Sequence, residues 1–183
     1  MSAKRSELSR AVRVSLLMVV TLFLTFTVEI LFPPVTRLGI VPRTESGLLG
    51  IAFSPLLHAN AAHLLANAPP LLILLILLFS DRQYRPWTAL GFVWLFSGVG
   101  TWLIGRGHSE HIGASSIIYG LAAYLIVSAI YMGSWRGWLV GIVVFLAYGG
   151  IFYGALPHPG PISWEGHLSG AIAGIWVARK HHA

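Results

Sequence analysis

The sequence predicts an all-α, polytopic membrane protein built as a six-helix transmembrane bundle, and three observations carry that expectation. Hydrophobic residues make up 56% of the 183 positions and charged residues only 10%. The mean hydropathy is +0.75, whereas soluble domains carry about 25% charge. The apolar residues fall into runs long enough to cross a bilayer, and turn residues or short charged pieces separate the runs.

The first run, residues 14–32, follows Lys4, Arg5, Arg10 and Arg13 and ends at Pro33-Pro34. It exceeds the length of a signal-peptide core, about 7–15 residues, and no small-residue cleavage site follows, so it reads as a retained span. The second run, 61–79, stops at Ser80-Asp81-Arg82, and the third, 87–104, at Gly105-Arg106-Gly107. The fourth, 115–132, ends before Gly133-Ser134. The fifth, 136–153, precedes Pro157-His158-Pro159-Gly160-Pro161, and the sixth covers 166–179. Each is expected to be helical, because lipid offers the backbone no partner and an α-helix satisfies its own. The chain then divides into an N-terminal segment (1–13), one membrane domain (14–180) and a short tail (181–183).

An even number of spans puts both termini on one side. That side takes Lys4, Arg5, Arg10, Arg13, Arg82, Arg85, Arg136, Arg179 and Lys180, against Arg37, Arg43 and Arg106 on the other. The excess of Lys and Arg assigns the termini to the cytoplasm and the loops 33–60, 105–114 and 154–165 to the outer side. The net charge of +6 is dispersed among these loops and forms no patch suited to nucleic acid. Without cysteine, disulfides and thiolate metal sites are excluded.

Ionisable and strongly polar side chains within spans are costly, which makes them functional candidates. They are Glu29, His63, Asn67, Ser115, Tyr119 and His167, with His58 just before the second span. His63 and Asn67, four apart, share one helix face and offer donors of the kind that stabilise an oxyanion. An isolated His-x-x-x-Asn also suits simple hydrogen bonding between helices. Pro69-Pro70 is expected to disturb the helix just beyond them. Ser115 opens the fourth span, where free N–H groups and the helix dipole favour negative charge, although serine is also a common N-cap. Tyr119 lies one turn on, placed to stack on an imidazole. His167 starts the sixth span and has the chemistry to act as base to a serine. Glu29 suits snorkelling or capping. Gly170-x-x-x-Gly174 marks a close-packing face, which pairs the sixth helix with the small residues around Ser115. All these polar groups lie in the outer halves of their helices and can converge at one depth.

In these residues the chain resembles the rhomboid family of intramembrane serine proteases. The match consists of His58-x4-His63-x3-Asn67, Gly113-Ala114-Ser115 with Tyr119, and His167-x2-Gly170-x3-Gly174, over roughly residues 14–180. The resemblance implies that Ser115 is the nucleophile and His167 its base. It implies an oxyanion hole from His63, Asn67 and the Ser115 N–H, with Tyr119, His58 and Gly113 in support. It further implies transmembrane protein substrates and no metal or organic cofactor; the compact build suits a plasma-membrane setting. No third acid is expected, and Glu165, two residues before His167, is given no role. The other readings of the same residues are an inactive relative that binds transmembrane clients and a small transporter. Two departures stand out. Ser116 occupies the position where the family usually has glycine, and is expected either to crowd the helix contact or to offer a rival nucleophile. No tryptophan occurs between residues 33 and 60, where relatives carry a Trp-Arg pair that shapes the first outer loop.

Overall fold

The computed structural model describes residues 2–107, 109–160 and 162–182, with side chains from Ser6 onward. Pro161, the final residue of the tail, and the side chains of Lys4 and Arg5 lie outside the described residues. Seven α-helices follow one another: α1 (Ser2–Leu31), α2 (Gly47–Phe53), α3 (Ala61–Phe79), α4 (Pro86–Ile104), α5 (Ser115–Met132), α6 (Trp135–Tyr148) and α7 (Trp164–His182). Short 3-10 turns join several of them. Among the described residues the only β pairing is an isolated antiparallel bridge, Ile40 with His111.

Six helices thus occupy the six predicted runs, the last part of the fifth (149–153) continuing as a 3-10 turn, and the short apolar α2 lies within the 33–60 loop. Among the described residues five segments are long and apolar enough to cross a membrane: Ser6–Leu31, Ala61–Phe79, Arg82–Ile104, Ser115–Met132 and Trp135–Ala155. The remaining long helix, α7, has 19 residues but carries Glu165 at its start and Arg179, Lys180, His181 and His182 at its end. It packs inside the bundle, where its small residues matter more than its hydropathy. The first helix extends back through residues 2–13 without a break.

Side-chain chemistry fixes the helix ends. The Asn60 side chain accepts the His63 N–H at 2.8 Å, and Ser134 accepts Gly137 N–H at 3.1 Å, both as N-caps. Pro69 and Pro70 do not break α3, which runs through them. A proline removes the hydrogen bond to the carbonyl four residues back, so only the carbonyls of Leu65 and Ala66 are released, and packing holds the helix across the gap.

The bundle is organised around α5, of which 61% of the span window is buried, against 22% for the first helix and 17% for the fifth span. The outer helices present apolar side chains outward, with Leu146 78% and Phe145 60% exposed, as a lipid-facing surface requires. The closest helix pair is α5 with α7. A Cβ on Gly170 would run into the Ser116 carbonyl, and one on Gly174 into the Gly120 carbonyl. The small-residue face is therefore a backbone-to-backbone contact. On its other side α7 meets α4, where a Cβ on Gly100 would stand 2.8 Å from Ser169 Cβ.

The 33–60 loop is anchored by residues of α4. Trp94 Nε1–H donates to the carbonyls of Ile51 and Ala52 at 3.1 and 3.2 Å, and Trp102 Nε1–H to Thr44 O at 2.9 Å. In return Arg43 donates from Nη1 to the carbonyls of Leu103 and Gly105 at 2.9 and 2.8 Å, closing the C-terminus of α4. A Trp and an Arg thus stabilise the loop although no tryptophan lies within it.

Candidate active site

Ser115 takes the first position of α5 because the chain turns sharply just before it. Gly113 has φ +112°, a conformation that L side chains rarely adopt, and a Cβ there would lie 2.6 Å from His63 Cε1 and 2.7 Å from Nε2. Glycine therefore serves two purposes: it permits the turn and lets the His63 imidazole lie against the backbone that leads into Ser115. Its own N–H donates to Ser54 O at 2.8 Å. Ser115 does not cap the helix with its side chain; the N-cap position is Ala114.

The hydroxyl is engaged elsewhere. Ser115 Oγ lies 2.9 Å from His167 Nε2, and His167 Nδ1 lies 2.9 Å from the Gly154 carbonyl. A carbonyl only accepts, so Nδ1 carries the hydrogen and Nε2 presents its lone pair to the serine. The Tyr119 ring stacks on the imidazole, with centroids 4.0 Å apart and planes 13° apart. His167 is 7% exposed. The hydroxyl that meets the imidazole belongs to Ser115, whereas Ser116 contributes its main-chain carbonyl to the contact with Gly170.

His63 and Asn67 reach the same place from α3. Both line a cavity of about 860 Å³ together with Ser115, Tyr119 and His167, and with Glu110, His111, Ile162 and Ser163 from the loops. Pro69, Pro70 and Ile73 of α3 and Ala147 and Tyr148 of α6 complete its walls. One N–H of the Asn67 amide donates to His63 O at 2.8 Å within the helix, which fixes the amide and leaves its second N–H to the cavity.

His58 stands behind His63, with ring centroids 5.2 Å apart, and is 1% exposed. Its Nδ1 lies 3.3 Å from Leu56 O, while Nε2 is buried without a partner. Burial, and then the neighbouring His63, hold its pKa down to about 4, so the ring is neutral near pH 7. Both Glu29 carboxylate oxygens accept the His58 backbone N–H, at 3.2 and 3.1 Å, which makes this acid a cap. Glu165 does not approach His167 as an orienting acid. It is fully buried in an ion pair, its Oε1 2.7 Å from Arg106 Nε.

Sequence reasoning missed three contributors: Gly154, His111 and Ser163. Gly154 acts through a main-chain oxygen and leaves no side-chain signal. Ser163 accepts the Gly166 N–H at 3.1 Å, the role of a helix-starting serine, and the pattern Ser163-Trp164-Glu165 carries that signal three residues ahead of the predicted span. His111 lies in a loop, where a lone histidine has no pattern.

A family model described as "Rhomboid domain" matches residues 45–182. Proteins of Mycobacterium tuberculosis and Mycobacterium bovis, both described as uncharacterized, are 45% identical over 150 residues, 76% of this chain and 62% of theirs. An uncharacterized protein of Mycobacterium leprae is 43% identical over 140 residues, 72% of this chain and 55% of its own. The chain therefore spans less than two thirds of the length of these curated relatives. No solved structure matches.

Proposed function

The chain belongs to the rhomboid family, and from that premise we propose that it is an intramembrane serine endopeptidase that cleaves transmembrane segments of membrane proteins. The reading is carried by one observation: Ser115 Oγ and His167 Nε2 stand 2.9 Å apart on the wall of a cavity that also receives His63 and Asn67.

His167 Nε2 takes the Ser115 proton as Oγ attacks the substrate carbonyl. The oxyanion that forms is met by the His63 imidazole N–H, the free Asn67 N–H and the Ser115 backbone N–H, a donor at the start of α5. His167 then returns the proton to the leaving amine, and water hydrolyses the acyl-enzyme by the reverse sequence. Gly154 keeps the imidazole in the required tautomer throughout, and Tyr119 keeps its plane. The side chains supply every proton transfer, so the reaction calls for no metal or organic cofactor. A substrate helix must unwind to expose a carbonyl, which favours helix-weak residues near the cut. The distribution of Lys and Arg, nine against three, supports cytoplasmic termini and a cavity that opens outward.

The test is covalent labelling of the detergent-purified protein by a fluorophosphonate. Labelling of the wild type and of Ser116→Ala, lost in Ser115→Ala, is the expected result. Loss in Ser116→Ala alone moves the nucleophile by one residue. An unlabelled wild type refutes the protease reading and leaves a client-binding protein.

A further inference from the structure

Two contacts join the segment that leads into Ser115 to the segment that leads into His167. In the first, Arg106 lies 2.7 Å from Glu165 Oε1 through Nε, and its backbone N–H donates to the same oxygen at 3.2 Å. Its Nη1 and Nη2 donate to the carbonyls of Gly160 and Ile162, both at 2.8 Å. In the second, His111 Nδ1 lies 2.6 Å from Ser163 Oγ. His111 precedes Ser115 by four residues and Ser163 precedes His167 by four. The bolt therefore ties together two points at equal chain distance from the two reactive groups.

The protons in this contact can be counted. Ser109 donates its hydroxyl to Arg106 O at 2.7 Å, so toward His111 Nε2, 3.1 Å away, it can only accept. Nε2 then carries the imidazole hydrogen, and Nδ1 is a bare lone pair that accepts from the Ser163 hydroxyl. Ser163 Oγ in turn accepts the Gly166 N–H at the start of α7. Each group is used once. A proton on Nδ1 would only reverse the contact, because Ser163 Oγ keeps a second lone pair beside the one that accepts Gly166 N–H, so the tie holds in either direction.

We propose that His111 and Ser163, braced by Arg106 and Glu165, are positioning residues that hold Ser115 and His167 at reacting distance. The proposal rests on the reading of Ser115 and His167 as the reacting pair. The charged groups that face His111 are Glu165 on α7, which favours the proton, and Arg106 and Arg43 in the loops, which oppose it. Burial, with 5% exposure, outweighs Glu165 and keeps the ring neutral near pH 7.

The experiment measures fluorophosphonate labelling rates of the full chain in detergent at pH 8. His111→Phe keeps a ring and leaves the Ser163 cap in place. It should label about 10- to 100-fold more slowly, the effect of misplaced reacting groups. Ser163→Ala, which also removes the cap on Gly166, should label at least as slowly. Ser163→Thr, which keeps the hydroxyl, should stay within about threefold of wild type. The double variant His111→Phe with Ser163→Ala should lose nothing beyond Ser163→Ala alone. Labelling of His111→Phe at the wild-type rate would overturn the positioning role while leaving the protease reading intact, and additive losses in the double variant would do the same. A wild type that takes no label refutes the reading of Ser115 itself, and the proposal falls with it.

Discussion

The Gly154 carbonyl lies 2.9 Å from His167 Nδ1, and this single backbone oxygen determines which imidazole nitrogen faces Ser115. A serine–histidine pair without a third acid needs something to fix the ring's tautomer and orientation. Here a 3-10 turn, Gly149–Ala155, supplies it, and Tyr119 presses on the ring from the face.

The glycine at this position is a requirement of space. A Cβ on Gly154 would run into the Tyr119 hydroxyl and stand 3.4 Å from His167 Nδ1. Gly154→Ala should therefore lower the labelling rate at Ser115 by about 10- to 100-fold through displacement of the imidazole. Tyr119→Phe, which removes the obstructing oxygen and keeps the stack, should recover most of that loss in the double variant. Strictly additive losses would mean that the two residues do not act on the same ring.

The proposed oxyanion donors make a sharper test. Asn67→Asp preserves the shape of a side chain that is 4% exposed but exchanges its N–H groups for acceptors. Peptidase activity should fall by about 100-fold or more, with a similar loss for His63→Ala. Retained activity would leave both residues as helix-to-helix contacts.

Most of this arrangement is legible in the sequence, for reasons that also explain what is not. Pro33-Pro34, Gly133-Ser134 and the charged turns mark the span boundaries because lipid tolerates no irregular backbone between them. His63, Asn67, Ser115 and His167 stand out because polar side chains are rare in spans, and the fold gathers them at one cavity. The tie between Trp102, Arg43 and the 33–60 loop is not legible, since it joins elements about 58 residues apart and a composition count of the loop alone finds no tryptophan. Pro69 and Pro70 mislead in the other direction: their local chemistry says breakage, whereas packing of α3 on α1 and α5 outweighs two missing hydrogen bonds.

The contact between α5 and α7 sets the distance between Ser115 and His167, so its glycines are exposed to overpacking. Gly170→Ala puts a methyl group against the Ser116 carbonyl, and Gly174→Ala puts one against the Gly120 carbonyl. Each should destabilise the fold by about 1–3 kcal/mol, read as a lowered thermal transition in detergent. Gly170→Ala, nearer the site, should also slow labelling more than Gly174→Ala does. Wild-type stability in both variants would show that the helices part freely.

Acid should weaken the fold through His58. Its pKa lies near 4 in the folded chain because of burial and the nearby His63, against about 6.5 when unfolded. The unfolded state therefore binds the proton first. The contribution of the neutral ring is complete above about pH 6.5 and is lost as pH falls toward 4. Over that window stability should drop by up to about 1.4 kcal/mol per pH unit from this group alone. Comparison of thermal unfolding at pH 7.5 and pH 5 for the wild type and His58→Gln checks it, since the variant has no proton to gain at this position. The acid-induced shift should be smaller in His58→Gln, and an identical shift would assign the effect to other groups.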